Sequence, residues 1–152
     1  MLYYYAVFKE LGVTNVKKTF SHFPDYPVWR IIDQSDCADL PAIDSFAVDD
    51  TLCQAVGTLV SPPVARLWVH RHTVVLGIQD SRLPNVQRAN EFLHEQGYHT
   101  VIRNSGGLAV VLDQGVLNIS LVLPVDDVFA EIDRGYDVMC QLVTDMLSPY
   151  GT

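Results

Sequence analysis

Arg103-Asn104-Ser105-Gly106-Gly107-Leu108-Ala109-Val110-Val111-Leu112-Asp113-Gln114-Gly115-Val116-Leu117-Asn118 is a polar, glycine-bearing turn set between β-rich runs. Val101 and Ile102 lead in, Leu108 to Leu112 lead out, and Val116 to Leu123 form a further run. Adjacent Gly106 and Gly107 remove two side chains where an extended ligand can lie close to the backbone. Arg103, Ser105, Asp113 and Asn118 supply polar groups on both sides of that opening. The stretch therefore reads as a small-molecule site built on a sheet. A second reading is purely local: a hairpin turn that takes glycine for its backbone angles. Local sequence alone favours the hairpin.

Outward from this stretch, strands and helices alternate. Trp29 to Ile32 is a short strand candidate. Asp39 to Pro41 opens a helix whose Ile43, Phe46, Ala47, Cys53 and Val56 recur at mostly helical spacing, with Gly57 as its stop. Asp49 and Asp50 sit mid-helix, where most carboxylates are solvated and a minority point into a site. Ala65 to Val69 and Thr73 to Ile78 are two strands around Arg71-His72. Asn85 to Gln96 is an amphipathic helix closed by Gly97, with Val86, Ala89, Phe92 and Leu93 as its stripe. His99 to Arg103, Leu108 to Leu112 and Val116 to Leu123 are β runs. A last helix spans about Asp127 to Leu147, with Phe129, Ile132, Tyr136, Met139, Val143 and Met146 on one face. Residues 1–28, punctuated by Pro24 and Pro27, read as an N-terminal extension. The mixture points to an α/β (α+β) domain.

The 152 residues suit one domain, and an apolar content of 49% gives it a core. The formal net charge is −8, and ten basic residues are scattered along the chain, so nucleic-acid binding is not expected. No basic n-region or long apolar run is present, so neither a signal peptide nor a membrane partner is expected. Three cysteines without CxxC spacing suit a reducing cytosol, which makes the cytoplasm the expected location. Cys53 and Cys140 fall in apolar parts of predicted helices and read as core fillers; Cys37 lies in a loop beside Asp36 and Asp39. His70 and His72 form an HxH pattern without a third ligand and read as surface residues, not a metal site. Arg66 reads as a structural strand residue, and Asp113 as either a turn cap beside Gly115 or a site residue. Gln79 ends a strand where site residues collect.

Three segments, in order and spacing, resemble the biotin/lipoate protein ligase catalytic-domain family over about residues 29–148. Ser45-Phe46-Ala47-Val48-Asp49-Asp50-Thr51-Leu52 resembles its first acidic helix. Ala65 to Val69 with Thr73 to Gln79 resembles its two-strand entry ending in Gly-x-Gln. Val101 to Val110 resembles the run of paired arginines, serine and three glycines. Trp29 to Gln34, Gly77 to Pro84 and Asn104 to Asp113 are most similar to the octanoyl-transferring branch. Asn104 stands where the ATP-using ligases have a second arginine, and Leu108 where they have a third glycine. A missing guanidinium weakens a site for an acyl-adenylate phosphate.

The resemblance implies a mixed, mostly antiparallel sheet flanked by helices, of the class II synthetase and biotin-protein-ligase type, incomplete at its C-terminus. Residues 29–152 would be the N-terminal part of the catalytic domain. It implies transfer of an octanoyl or lipoyl group from the glycine-cleavage H protein to lipoyl domains of 2-oxoacid dehydrogenases through a cysteine thioester, by a monomer, with no ATP, metal or other cofactor. Arg103, Ser105, Gly106, Gly107, Leu108, Gln79, Asp113 and Asn118 would contact the substrate. The nucleophilic cysteine and an active-site lysine are expected beyond Thr152, so this length alone is expected to be inactive. An ATP-dependent lipoate or biotin ligase and a non-catalytic acyl-binding fragment are the alternatives.

Overall fold

The computed structural model describes residues 26–125 and 132–151, so the expected N-terminal extension and the start of the last helix lie largely outside the described residues. The elements run β1 (Arg30–Gln34), α1 (Ala42–Gly57), β2 (Val64–Trp68), β3 (Thr73–Leu76), a 3-10 turn (Asp80–Arg82), α2 (Val86–Glu95), β4 (His99–Ile102), β5 (Val110–Leu112), β6 (Asn118–Val122) and α3 (Ile132–Leu147), with a 3-10 turn after it (Ser148–Tyr150). The α/β reading holds. Each expected strand or helix recurs within a few residues, because each is a β-branched run or a helical run bounded by Pro, Gly or Asn.

The chain divides into two compact units. The first draws on Met1–Asp33, Asp49–Leu67 and Asn118–Thr152. Its sheet has the order β1-β2-β6. Ala65, Leu121 and Leu142 form the buried cluster, with Trp29, Ile31, Ile119, Leu123, Met139 and Met146 against it. The second unit comprises Gln34–Val48 and Trp68–Leu117. Its sheet has the order β4-β3-β5, with β3 parallel to β4 and antiparallel to β5. All four residues of β3 are buried, as a central strand requires.

Two helix readings need correction. Val138 and Leu142 are buried on α3, whereas Tyr136 and Val143 are exposed. The buried face is therefore rotated towards Val138 and Leu142. Cys140 is exposed, one position past the partly buried Met139, and is no core filler. On α1 the buried positions are Ala42, Ser45, Asp49, Leu52 and Val56, while Ile43 is exposed. That stripe is small and polar as well as apolar, so hydrophobic spacing alone misplaced it.

The two helix ends follow one rule with different residues. After α2, Gly97 is left-handed (φ +83°); its N–H donates to His94 O, and the Tyr98 N–H donates to Leu93 O at 2.9 Å. This is the six-to-one closure that favours glycine. After α1 the same pair of bonds runs from Leu59 to Val56 O and from Val60 to Ala55 O. The left-handed residue there is Leu59 (φ +59°), so Gly57 is the last helical residue, not the stop.

Candidate active site

Within the second unit, the opening stretch is not a hairpin. β4 and β5 do not pair with each other; they flank β3, one on each side. The segment between them must cross the end of β3, and Gly77, just beyond that strand, lies beneath it. A Cβ built on Gly77 would lie 2.1 Å from the carbonyl oxygen of Gly107. Only glycine lets the two backbones pass so closely. The crossing is tied by Arg103 N–H to Leu76 O (2.9 Å) and by Ile78 N–H to Ser105 O (3.2 Å). The Gly77 N–H donates to Asp80 Oδ2 at 2.9 Å.

Arg103 closes the loop from within. Its Nε and Nη2 donate to Gly106 O at 3.1 and 2.8 Å, and Nη2 also reaches Leu108 O at 3.0 Å. Gly107 is left-handed (φ +88°), and a Cβ there would meet Arg103 Nη2 at 2.6 Å. Its glycine requirement is thus backbone angle plus the guanidinium. Gly106 is different: nothing lies within 4 Å of a Cβ added to it, so the space over it is open. Leu108 beside it is 81% exposed. The structure therefore brings Gln79, Arg103, Ser105, Gly106, Gly107 and Leu108 to one end of β3. Asn118 opens β6 and belongs to the other unit.

Asp113 sits beyond β5 in the second unit. It accepts from its neighbour's Gln114 N–H (2.8 Å) and from Tyr98 OH (3.3 Å), and the His72 N–H lies at 3.5 Å. The Gln114 N–H, ahead of the His72 N–H, the His72 charge and Tyr98, holds the carboxyl below the ordinary Asp range against a smaller desolvation. With Val116 N–H donating to Asp113 O and Gly115 left-handed, this is the turn-capping geometry. His72, exposed as expected, takes a left-handed backbone (φ +45°) and stacks at a tilt on Tyr98.

Sequence reading missed a buried charge cluster in the first unit. Arg66 Nη1 lies 2.7 Å from Asp49 Oδ1, and the Ser120 Oγ is 2.9 Å from both Asp49 oxygens. All three residues are buried. Asp49 is therefore not solvated: a mid-helix carboxylate on the face shared by Ser45 and Leu52 had its partner on β2, far away in sequence. His70 is likewise buried, not superficial, in the second unit, edge-on to Trp68, which in turn meets Phe46 edge-on. Also in that unit, a cleft of about 830 Å³ is lined by residues 38–43, 71–73, 99–102 and Asn90. None of the residues expected from sequence to touch substrate lines it. The basic Arg71, His72 and His99 around it gave no recognisable motif. Among the described residues no cluster of three metal-ligating side chains occurs, and no helix is long and apolar enough to cross a membrane.

Comparison with known proteins gives this fold a family. Residues 41–152 match the lipoyl protein ligase A/B catalytic domain, so the chain belongs to that family. It is 54% identical over 120 residues to an octanoyl-[GcvH]:protein N-octanoyltransferase of Anoxybacillus flavithermus, covering 78% of this chain and 44% of the relative. It is 58% identical over 118 residues to the enzyme of the same name in Lysinibacillus sphaericus, covering 77% and 42%. A lipoyl-[GcvH]:protein N-lipoyltransferase of Listeria monocytogenes is 54% identical over 120 residues, covering 78% and 43%. The chain thus spans somewhat under half the length of the curated relatives it matches.

Proposed function

We propose that this chain forms the acyl-binding portion of a protein N-octanoyl- or N-lipoyltransferase. The observation that supports it most is that two separate matching segments, Gly77 to Gln79 and Arg103 to Leu108, meet at one end of β3, with open space over Gly106. The octanoyl chain would run along the Gly106 backbone beside Leu108. At ~0.8 kcal/mol per buried methylene, its tail would contribute about 4–5 kcal/mol before ordering costs. Arg103 would act by position: its donors hold the Gly106 and Leu108 carbonyls and so keep the loop in one shape. Gln79 and Ser105 would supply polar contacts at the acyl carbonyl end.

The relatives' names give GcvH as the acyl carrier. By extension we take GcvH as the donor and the lipoyl domains of 2-oxoacid dehydrogenases as acceptors, in the cytoplasm, with a monomeric enzyme and no ATP. The reaction class is attack of a thiolate on an amide-linked acyl group, forming a thioester and releasing the donor's lysine amine with a proton, then attack on that thioester by a lysine amine of the acceptor domain, forming the new amide and returning the thiolate. The nucleophilic thiol and an active-site lysine of the enzyme itself are proposed to lie in sequence beyond Thr152; Cys37, Cys53 and Cys140 occupy no matching motif. The test incubates the complete gene product with octanoylated GcvH and an apo-lipoyl domain in the absence of ATP. Octanoyl transfer supports the reading. Strict dependence on ATP, with an adenylate intermediate, would replace it with a ligase.

A further inference from the structure

As a central strand, β3 offers alternate residues to its two neighbours. The His99 N–H donates to His72 O and the Arg103 N–H to Leu76 O, so His72, Val74 and Leu76 turn their backbone groups towards β4. Thr73 and Val75 turn theirs towards β5, opposite Leu112 and Val110. In that register the next rung would join the Gly77 N–H to Leu108 O. The rung is not made. The Gly77 N–H donates instead to Asp80 Oδ2 at 2.9 Å, and Leu108 O accepts instead from Arg103 Nη2 at 3.0 Å. A carboxylate has taken the donor of the rung and a guanidinium its acceptor. Gly77 is buried, so its N–H needs a partner within the protein. Asp80 supplies one from the 3-10 turn that follows, as a charge-assisted bond stronger than an amide carbonyl would give. The ladder therefore stops at Val75 and Val110, and the backbone from Gly106 to Leu108 is released from it. Gly107 O passes over Gly77, and nothing stands within 4 Å of a Cβ added to Gly106.

We infer that Asp80 is a positioning residue of the candidate site: with Arg103 it keeps this last β3–β5 rung unmade, and so keeps the space over Gly106 available to a ligand. The ligand named here, an octanoyl group, rests on the acyl reading above. Asp80 touches no substrate atom in this role; it acts through Gly77 and the crossing loop. Without its carboxylate, the acceptor in register for the Gly77 N–H is Leu108 O. Pairing there draws the loop onto β3 and fills the space over Gly106. Asparagine at this position keeps a side-chain oxygen that can accept the same bond, whereas alanine keeps none.

The test uses the full 152-residue chain, isotope-labelled for NMR. Scalar coupling across hydrogen bonds identifies the acceptor of the Gly77 N–H, and octanoyl-lysine amide is the binding probe. In the parent, the Gly77 nitrogen couples to the side-chain carboxyl carbon of Asp80. In Asp80→Ala it couples to the Leu108 carbonyl carbon, and affinity for the probe falls about tenfold, as expected when one hydrogen bond that shapes a site is lost. Asp80→Asn binds within about twofold of the parent, a rescue that follows from its retained acceptor. Affinities are measured well below each variant's melting midpoint, so that unfolding does not enter them. The parent and Asp80→Asn decide the pairing even where Asp80→Ala does not fold. A Gly77 coupling to Leu108 in the parent, or parental affinity in Asp80→Ala, would overturn the inference. A parent that shows the Asp80 coupling but takes no probe would overturn the acyl reading instead, and would support the unmade rung.

Discussion

Gly77→Ala tests the crossing that organises the second unit. The new methyl would lie 2.1 Å from Gly107 O, 3.2 Å from Gly107 C and 3.3 Å from Asp80 Oδ2. The first contact is with backbone, so it cannot be relieved by turning a side chain. The carbonyl must retreat by about 1 Å to reach ordinary van der Waals separation. It belongs to a loop pinned by Ile78 N–H to Ser105 O and by Arg103. Forcing a methyl into a filled space costs about 1–3 kcal/mol. Losing the 3.2 Å Ile78 bond adds about 1 kcal/mol. The expected destabilisation is thus roughly 2–4 kcal/mol. Urea unfolding followed by the fluorescence of Trp68, a buried residue of the same unit, measures it. Gly106→Ala, with open space around its Cβ, is the control and should stay within ~0.5 kcal/mol of the parent. Equal midpoints for Gly77→Ala, Gly106→Ala and the parent would refute the reasoning.

Other expectations concern separate parts of the chain. Asp49→Ala leaves the Arg66 guanidinium buried without its carboxylate and should cost about 3–5 kcal/mol, whereas Ser120→Ala should cost about 1–2 kcal/mol; calorimetric melts compare them. Leu59→Gly relieves a left-handed backbone at an 80% exposed position and should stabilise by about 1 kcal/mol, read as a raised melting temperature. Asp113 has a folded pKa below its unfolded value, so its contribution is complete above the ordinary value of 3.8 and fades as pH falls from there through the lower folded pKa. Acid melts of Asp113→Asn should therefore lose part of the parent's pH dependence below about pH 4 and show no new dependence near neutrality. The exposed Leu59, Val60, Leu108 and Tyr150 predict that the isolated chain binds a hydrophobic dye, and fluorescence on dye addition checks it.

Sequence legibility varied with the range of the interaction. Strands and helices were readable because their signals are local: Val74 to Leu76 is a continuous apolar run, and Gly97 closes α2 within one turn. The role of Gly77 was not readable, since its constraint comes from Gly107, thirty residues later. The hairpin reading failed for the same reason: nothing in residues 101–112 records that β3 lies between the two strands. Asp49 looked solvated because its partners, Arg66 and Ser120, sit on other elements. The rotated face of α3 shows the limit of spacing arguments, since Tyr136 and Val143 fit an apolar stripe as well as Val138 and Leu142 do. Of the expected contact residues, the cluster from Arg103 to Leu108 with Gln79 was legible as two short motifs. Their meeting point was not.

The space over Gly106, beside Leu108, is proposed to receive a fatty-acyl chain. Two-dimensional amide NMR of the chain, titrated with an octanoyl-lysine amide, tests it most directly. Shifts are expected to concentrate at Ser105, Gly106, Gly107 and Leu108, with Gln79 following and Gly115 unmoved. Shifts confined to the cleft around residues 38–43 and 99–102, or no shift at Gly106 at any octanoyl concentration, would contradict it.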